Sequence, residues 1–225
     1  MQSHRRKLIA HVLPMVLFLT LLALCQLVAA HGHVFVLRHA EFWVYPAQTI
    51  LCGALLLCFR EHYAFRGLKN VGFTILIALA VFVLWIAPQQ FLNFAPRTIG
   101  FDPEILGNNS ALYWFTISFR FFRLVIVVPV MEEIFWRSFL LRFVIDEHFE
   151  RVSFGKFTWP SFAIVALAFT FSYSRADWLA AFVAGALYNV VAYRSRSLAS
   201  CVLAHAVTNL LLGFWIMQTQ QWGFW

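Results

Sequence analysis

Residues 124–145 read LVIVVPVMEEIFWRSFLLRFVI. At 1.5 Å per residue, a helix of this length spans about 33 Å, enough to cross the roughly 30 Å hydrocarbon core of a bilayer. Glu132, Glu133 and Arg137 nevertheless sit in the middle of the run. Ionisable groups at that depth cost about 2.5–3.5 kcal/mol each on insertion scales, so they mark a functional site unless they only lock helices together. The stretch therefore poses the two questions the rest of the sequence must answer: how many helices surround these charges, and what the charges do.

Working outward, the flanking stretches are of the same apolar kind. Segments 8–30, 42–59 and 71–87 each approach the roughly 20 residues a span requires, the third ended by Pro88. The stretch 89–110 holds Pro96, Gly100, Pro103 and Gly107 and reads as a loop. Segment 111–145 is too long for one span. It splits into an amphipathic or interfacial part up to Arg123 and the span quoted above, which Pro129 can kink. Beyond the charged loop 146–156 come apolar segments 157–173, 178–193 and 198–217. The chain ends in Trp222-Gly223-Phe224-Trp225, an aromatic anchor for the membrane interface. The expected fold is all-α, a polytopic transmembrane helical bundle of seven to eight spans. Residues 1–110 supply N-terminal transmembrane helices and a loop, and residues 111–225 a core that carries the chemistry.

Composition agrees. Hydrophobic residues make up 62% of the chain and charged residues 12%, with a mean hydropathy of +0.75. A soluble domain has about 45–50% and about 25% respectively. The formal net charge of +7 would suggest nucleic acid in a soluble protein. Here the basic residues fall in short segments between spans, in 4–7, 60–69, 151–156 and 194–196, the pattern of cytoplasmic loops. That bias places the N-terminus in the cytoplasm and makes the lipid bilayer, not nucleic acid, the partner. The basic start and apolar run could pass for a signal peptide, but about 23 apolar residues read better as a retained first helix. Cys25, Cys52, Cys58 and Cys201 all lie in apolar runs without a CxxC pair and read as small hydrophobes.

Two constellations carry chemistry. Glu133 and Arg137 are four residues apart with the acid first, the favourable order for a same-face pair. Glu132 then points about 100° away and is free to face a cavity as a general base. In the last span His205 and Asn209 share a face. They could donate hydrogen bonds to a developing oxyanion, His205 could bind a metal, or both could simply hydrogen-bond between helices.

Glu132-Glu133-x-x-x-Arg137 followed by His205-x-x-x-Asn209 resembles the CPBP (ABI) superfamily, which includes type II CAAX prenyl endopeptidases and bacteriocin self-immunity proteins. The resemblance covers roughly 120–215, and Arg194-Ser195-Arg196-Ser197-Leu198 leading into Ala204-His205-Ala206 is similar to an exosortase-associated bacterial subgroup. It implies an intramembrane peptidase of the bacterial inner membrane acting on a membrane-anchored protein or peptide. Glu132 would activate water, Glu133 and Arg137 would support it, and His205 with Asn209 would stabilise the oxyanion. It also leaves open a divalent metal, zinc, with Glu132 and His205 as candidate ligands.

One position departs from the pattern. The middle motif of the family is FxxxH, and here Phe169-Thr170-Phe171-Ser172-Tyr173 puts tyrosine where histidine is expected. A phenol of ordinary pKa about 10 is a poor base near neutrality. Two readings follow: Tyr173 orients a water that Glu132 activates, or the chain is a catalytically degenerate member acting as a binding, immunity or scaffold factor. A proton- or ion-coupled transporter is disfavoured by the lack of repeats or paired broken helices.

Overall fold

The computed structural model describes residues 2–97, 100–107 and 110–225, and among them every regular element is helical. Seven long helical stretches follow one another: α1 Gln2–His31, α2 Glu41–Cys58, α3 Val71–Phe91, α4 over 111–143, α5 Trp159–Phe171, α6 Trp178–Ser195 and α7 Leu198–Thr219. Helices over His4–His31, Glu41–Cys58, Val71–Phe91, Arg175–Ser195 and Leu198–Thr219 are long and apolar enough to cross a membrane. The 13-residue α5, about 20 Å long, is too short to cross alone. Outward faces display Leu19, Leu51, Leu57, Leu76 and Val83 to the surroundings, the surface that acyl chains cover. The protein is an integral membrane protein.

The bundle centres on α7, which packs against α3, α6 and α4, while α5 lies on α6 and α1 on α2 and α4. Close approach is possible because α6 presents Ala180, Ala181, Ala184 and Gly185 to its neighbours. A side chain added at Gly185 would press its Cβ to 3.0 Å from the Phe169 ring of α5.

Proline explains much of the polar bonding between helices. Pro14 has no N–H to give the Ala10 carbonyl, and the Tyr63 hydroxyl donates to that oxygen instead, at 2.8 Å. In α4 the run is continuous where a split near Arg123 was expected. The α-helical segments Ala111–Phe122, Val128–Glu133 and Leu141–Phe143 are joined by π-helical stretches Arg123–Val127 and Ile134–Leu140. In the wider π register residue i+5 donates to i, as Val128 N–H does to the Arg123 carbonyl. Pro129 cannot repeat this for Leu124, and the Asn209 side chain of α7 donates to the Leu124 carbonyl at 2.9 Å. Pro88 does not end α3, which continues to Phe91, because only the last turn follows it.

Segment 64–70 is pinned to the start of α7. Ser200 Oγ accepts from Lys69 N–H and donates to the Lys69 carbonyl, both at 2.9 Å. Ser197, which caps α7, donates to the Gly67 carbonyl at 2.9 Å.

Candidate active site

Arg137 organises the centre of the bundle. It is 1% exposed, and each edge of its guanidinium group has a use. Nη1 donates to Glu133 Oε1 at 2.9 Å, Nε to Asn189 Oδ1 at 3.2 Å, and Nη2 to the Gly185 carbonyl at 3.2 Å. The Phe169 and Tyr188 rings lie 5.0 and 5.3 Å from its central carbon. The i,i+4 pairing of Glu133 and Arg137 expected from the spacing is present, in a place where neither side chain is exposed.

The same carboxylate oxygen accepts a second bond. His205 Nδ1 lies 2.9 Å from Glu133 Oε1. An ionised carboxylate can only accept, so Nδ1–H is the donor, which leaves Nε2 as the nitrogen able to act on something else. The imidazole stacks on Tyr188, with ring centroids 5.1 Å apart and planes inclined by 24°. Glu133, Arg137, Tyr188 and Asn189 thus fix the orientation of His205.

Glu132, next in sequence to Glu133, turns elsewhere. It is 7% exposed, and its Oε2 has no hydrogen-bond partner among the described residues. It lines a cavity of about 570 Å³ whose wall also includes Tyr173, Tyr188, His205 and Asn209. The structure therefore brings Glu132, Tyr173, His205 and Asn209 to one cavity, and holds Glu133 and Arg137 in the layer behind it. Tyr173 lies just beyond the end of α5, its ring packed on Phe169 and Trp85. One N–H of the Asn209 amide is committed to the Leu124 carbonyl, and the other remains to serve the cavity. The cavity adjoins a second one of about 690 Å³ through Leu22, Gln26, Tyr45, Ser174 and Trp225. That outer cavity reaches Arg97 and Asp177, an ion pair that joins the loop after α3 to the start of α6.

The donor set does not fit a catalytic zinc ion. Such a site takes three protein ligands in addition to water. Here a carboxylate and a single imidazole nitrogen face the cavity, and a phenol stands at the third position. Among the described residues, three metal-ligating side chains gather elsewhere, at His4, His148 and Glu150, at the opposite end of α1 from the outer cavity.

Several features of the site were not anticipated from sequence. The bond between His205 and Glu133 is one. The role of Asn189 as acceptor for Arg137 is another. Arg120 and Arg123, expected at an interface, are buried and line the cavity with Glu132. Their spacing of three on one helical face, with no acid in the same segment, was the available signal.

Comparison with known proteins bears on this geometry. Residues 109–211 match the family model described as type II CAAX prenyl endopeptidase Rce1-like. Over that stretch the chain is similar to the Rce1-like family. The match spans both motifs, Glu132 to Arg137 and His205 to Asn209, and reaches the family without reaching the exosortase-associated subgroup. No curated protein and no solved structure matches the chain significantly. The Rce1-like segment comprises α4 to most of α7, the helices that supply every motif residue of the cavity, while α1 and α2 close its other side through Phe18, Gln26 and Tyr45.

Proposed function

We propose that this protein is an intramembrane endopeptidase that hydrolyses a peptide bond of a membrane-associated protein or peptide. The observation that carries the reading is the carboxylate of Glu132. It is buried, it has an oxygen without a protein partner, and it faces a cavity it shares with His205, Asn209 and Tyr173. The match of residues 109–211 to a protease family model supports the same reaction class.

In this reading Glu132 takes a proton from a water molecule, whose oxygen attacks the scissile carbonyl carbon. His205, through Nε2–H when protonated, and the free N–H of Asn209 donate to the oxyanion that forms. The C–N bond then breaks, and Glu132 returns the proton to the leaving amine. Glu133 and Arg137 position His205 without touching substrate. Tyr173 donates a hydrogen bond that orients the water. The charge bias of the loops supports a cytoplasmic N-terminus and an inner-membrane location, which would put the outer cavity on the side away from the cytoplasm.

General base catalysis is worth about 10²–10⁴-fold, so Glu132→Ala should lower cleavage by at least about 100-fold while the protein still inserts. His205→Ala should lose about 10²–10³-fold. A protein that processes its substrate normally with either change would overturn these roles. Tyr173 favours one competing reading, a degenerate member that binds without cutting. Tyr173→His separates the two: a sharp rise from negligible cleavage supports the binder, and unchanged or reduced cleavage supports a working site built on tyrosine.

A further inference from the structure

The wall of the Glu132 cavity contains two guanidinium groups that the reaction above does not use. Arg120 and Arg123 are 7% and 9% exposed. Arg120 Nε and Nη1 and Arg123 Nε have no hydrogen-bond partner, and neither arginine forms an ion pair among the described residues. Their companions are aromatic. The Arg120 guanidinium lies 5.0, 4.8 and 5.5 Å from the Tyr45, Phe101 and Trp225 rings, and that of Arg123 lies 4.4 and 5.0 Å from Tyr45 and Phe18. The rings hold the cations in place, and one polar group of this aromatic set, the Tyr45 hydroxyl, lies near Arg120, yet Nε and Nη1 of Arg120 and Nε of Arg123 stay unbonded. Two acids share their surroundings: Glu132 lines the same cavity without pairing with either arginine, and Glu41 lines a small crevice with both. The Glu41 carboxylate is the one turned away: it is hydrogen-bonded to His39 at 3.3 Å and stays beyond ion-pair distance of either.

Two buried cations without an anion are costly, and an anion that enters the cavity would complete them. We propose that Arg120 and Arg123 form a carboxylate-binding subsite for the peptide substrate. This rests on the reading of the cavity as the place where a peptide is held against Glu132. The helix sets the distance. Arg123 and Arg120 precede Glu132 by nine and twelve residues, roughly 13 and 18 Å along the axis. An extended peptide advances about 3.3–3.6 Å per residue, so the carboxylate lies roughly four to five residues from the bond facing Glu132. The carboxylate is either the chain terminus or an acidic side chain at that spacing, and both offer the same forked acceptor to the guanidinium.

The test uses the full chain with Glu132→Gln, in dodecyl maltoside, so that bound peptide is not consumed. Three probes are titrated by tryptophan fluorescence, since Trp85 and Trp225 line the cavity. They are N-dodecanoyl-pentaalanine as the free acid, the same peptide as its carboxamide, and that carboxamide with aspartate in place of the last alanine. The free acid or the aspartate peptide should bind at least tenfold tighter than the plain carboxamide, and whichever does so identifies the source. Arg123→Gln should erase the preference and Arg123→Lys retain part of it. The comparison of probes needs no arginine variant, so a variant that fails to fold leaves the test intact.

Equal affinities for all three probes, or no saturable binding by any, would overturn the proposal. So would a preference abolished by phosphatidylglycerol but not by phosphatidylcholine in the micelles, the signature of a lipid phosphate as the natural anion. Normal cleavage of a membrane substrate by the Glu132→Gln chain, read in a separate assay, would sink the hydrolytic reading instead, and the affinities of probes recovered intact would still decide the subsite.

Discussion

Replacing Arg137 by methionine removes the cation that neutralises Glu133 in a site with no solvent exposure. Three hydrogen bonds go with it, to Glu133, Asn189 and the Gly185 carbonyl. Charge-assisted bonds are worth about 1.5–3 kcal/mol each, but their sum overstates the loss because the three act as one unit. Breaking a buried pair by removing one partner costs about 3–5 kcal/mol, mostly from the charge left behind. Arg137→Met and Glu133→Gln should therefore each cost about 3–5 kcal/mol. The double variant leaves no orphaned charge, and the amide oxygen introduced by Glu133→Gln can still accept from His205. It should cost no more than either single change, a coupling of about 3 kcal/mol. Equilibrium unfolding in mixed micelles of dodecyl maltoside and sodium dodecyl sulfate measures all three. If the double variant loses the sum of the single losses to within about 0.5 kcal/mol, the pair is not the unit described here.

Further expectations follow from the other polar contacts. Asn209→Leu orphans the Leu124 carbonyl and should cost about 1–2 kcal/mol. Adding Pro129→Ala supplies the missing N–H and should recover most of that stability, and no recovery would contradict the π-register account. Tyr63→Phe should cost about 1–2 kcal/mol through the Ala10 carbonyl, and the cost should vanish in a Pro14→Ala background. Glu150 lies in the loop after α4, with its carboxylate 3.0 Å from His4 Nδ1. Burial alone would raise its pKa, but hydrogen bonds from its own backbone and from His4, with the charge of His148, outweigh this and lower it. A carboxyl depressed on folding adds stability above its ordinary value of 4.5, which is lost as pH falls through the lower folded value. Glu150→Gln should thus destabilise at pH 7, and the difference should shrink as pH falls below 4.5, as compared by unfolding midpoints.

The spans were legible because lipid imposes a simple rule on composition and length. Helices α2, α6 and α7 fall within two residues of the apolar runs that predict them, and α1 starts six residues earlier, taking in the basic start of the chain. The Glu133–Arg137 pair was legible because a four-residue spacing is local geometry. His205 was visible as an imidazole in an apolar run, but the acid it would meet was not. Glu132 and Glu133 differ by about 100° around α4, and which of them faces α7 depends on where neighbouring helices settle. The continuity of α4 through Arg123 was hidden for a related reason. Charge and length argued for a break, whereas two π-helical stretches and aromatic rings from α1, α2 and the C-terminal segment let the helix continue with its arginines inside. For Asn209 both an oxyanion role and a bond between helices were open from sequence, but the partner of that bond was hidden, because nothing in its own segment reveals that Pro129, eighty residues earlier, frees a carbonyl beside it.

The most direct test of the central claim is hydrolysis in water enriched in oxygen-18, with purified protein reconstituted into liposomes alongside membrane proteins of its host. The account predicts new peptide C-termini carrying one oxygen-18, at a rate at least about 100-fold lower in the Glu132→Gln protein. Labelled termini formed equally fast by both proteins would contradict it.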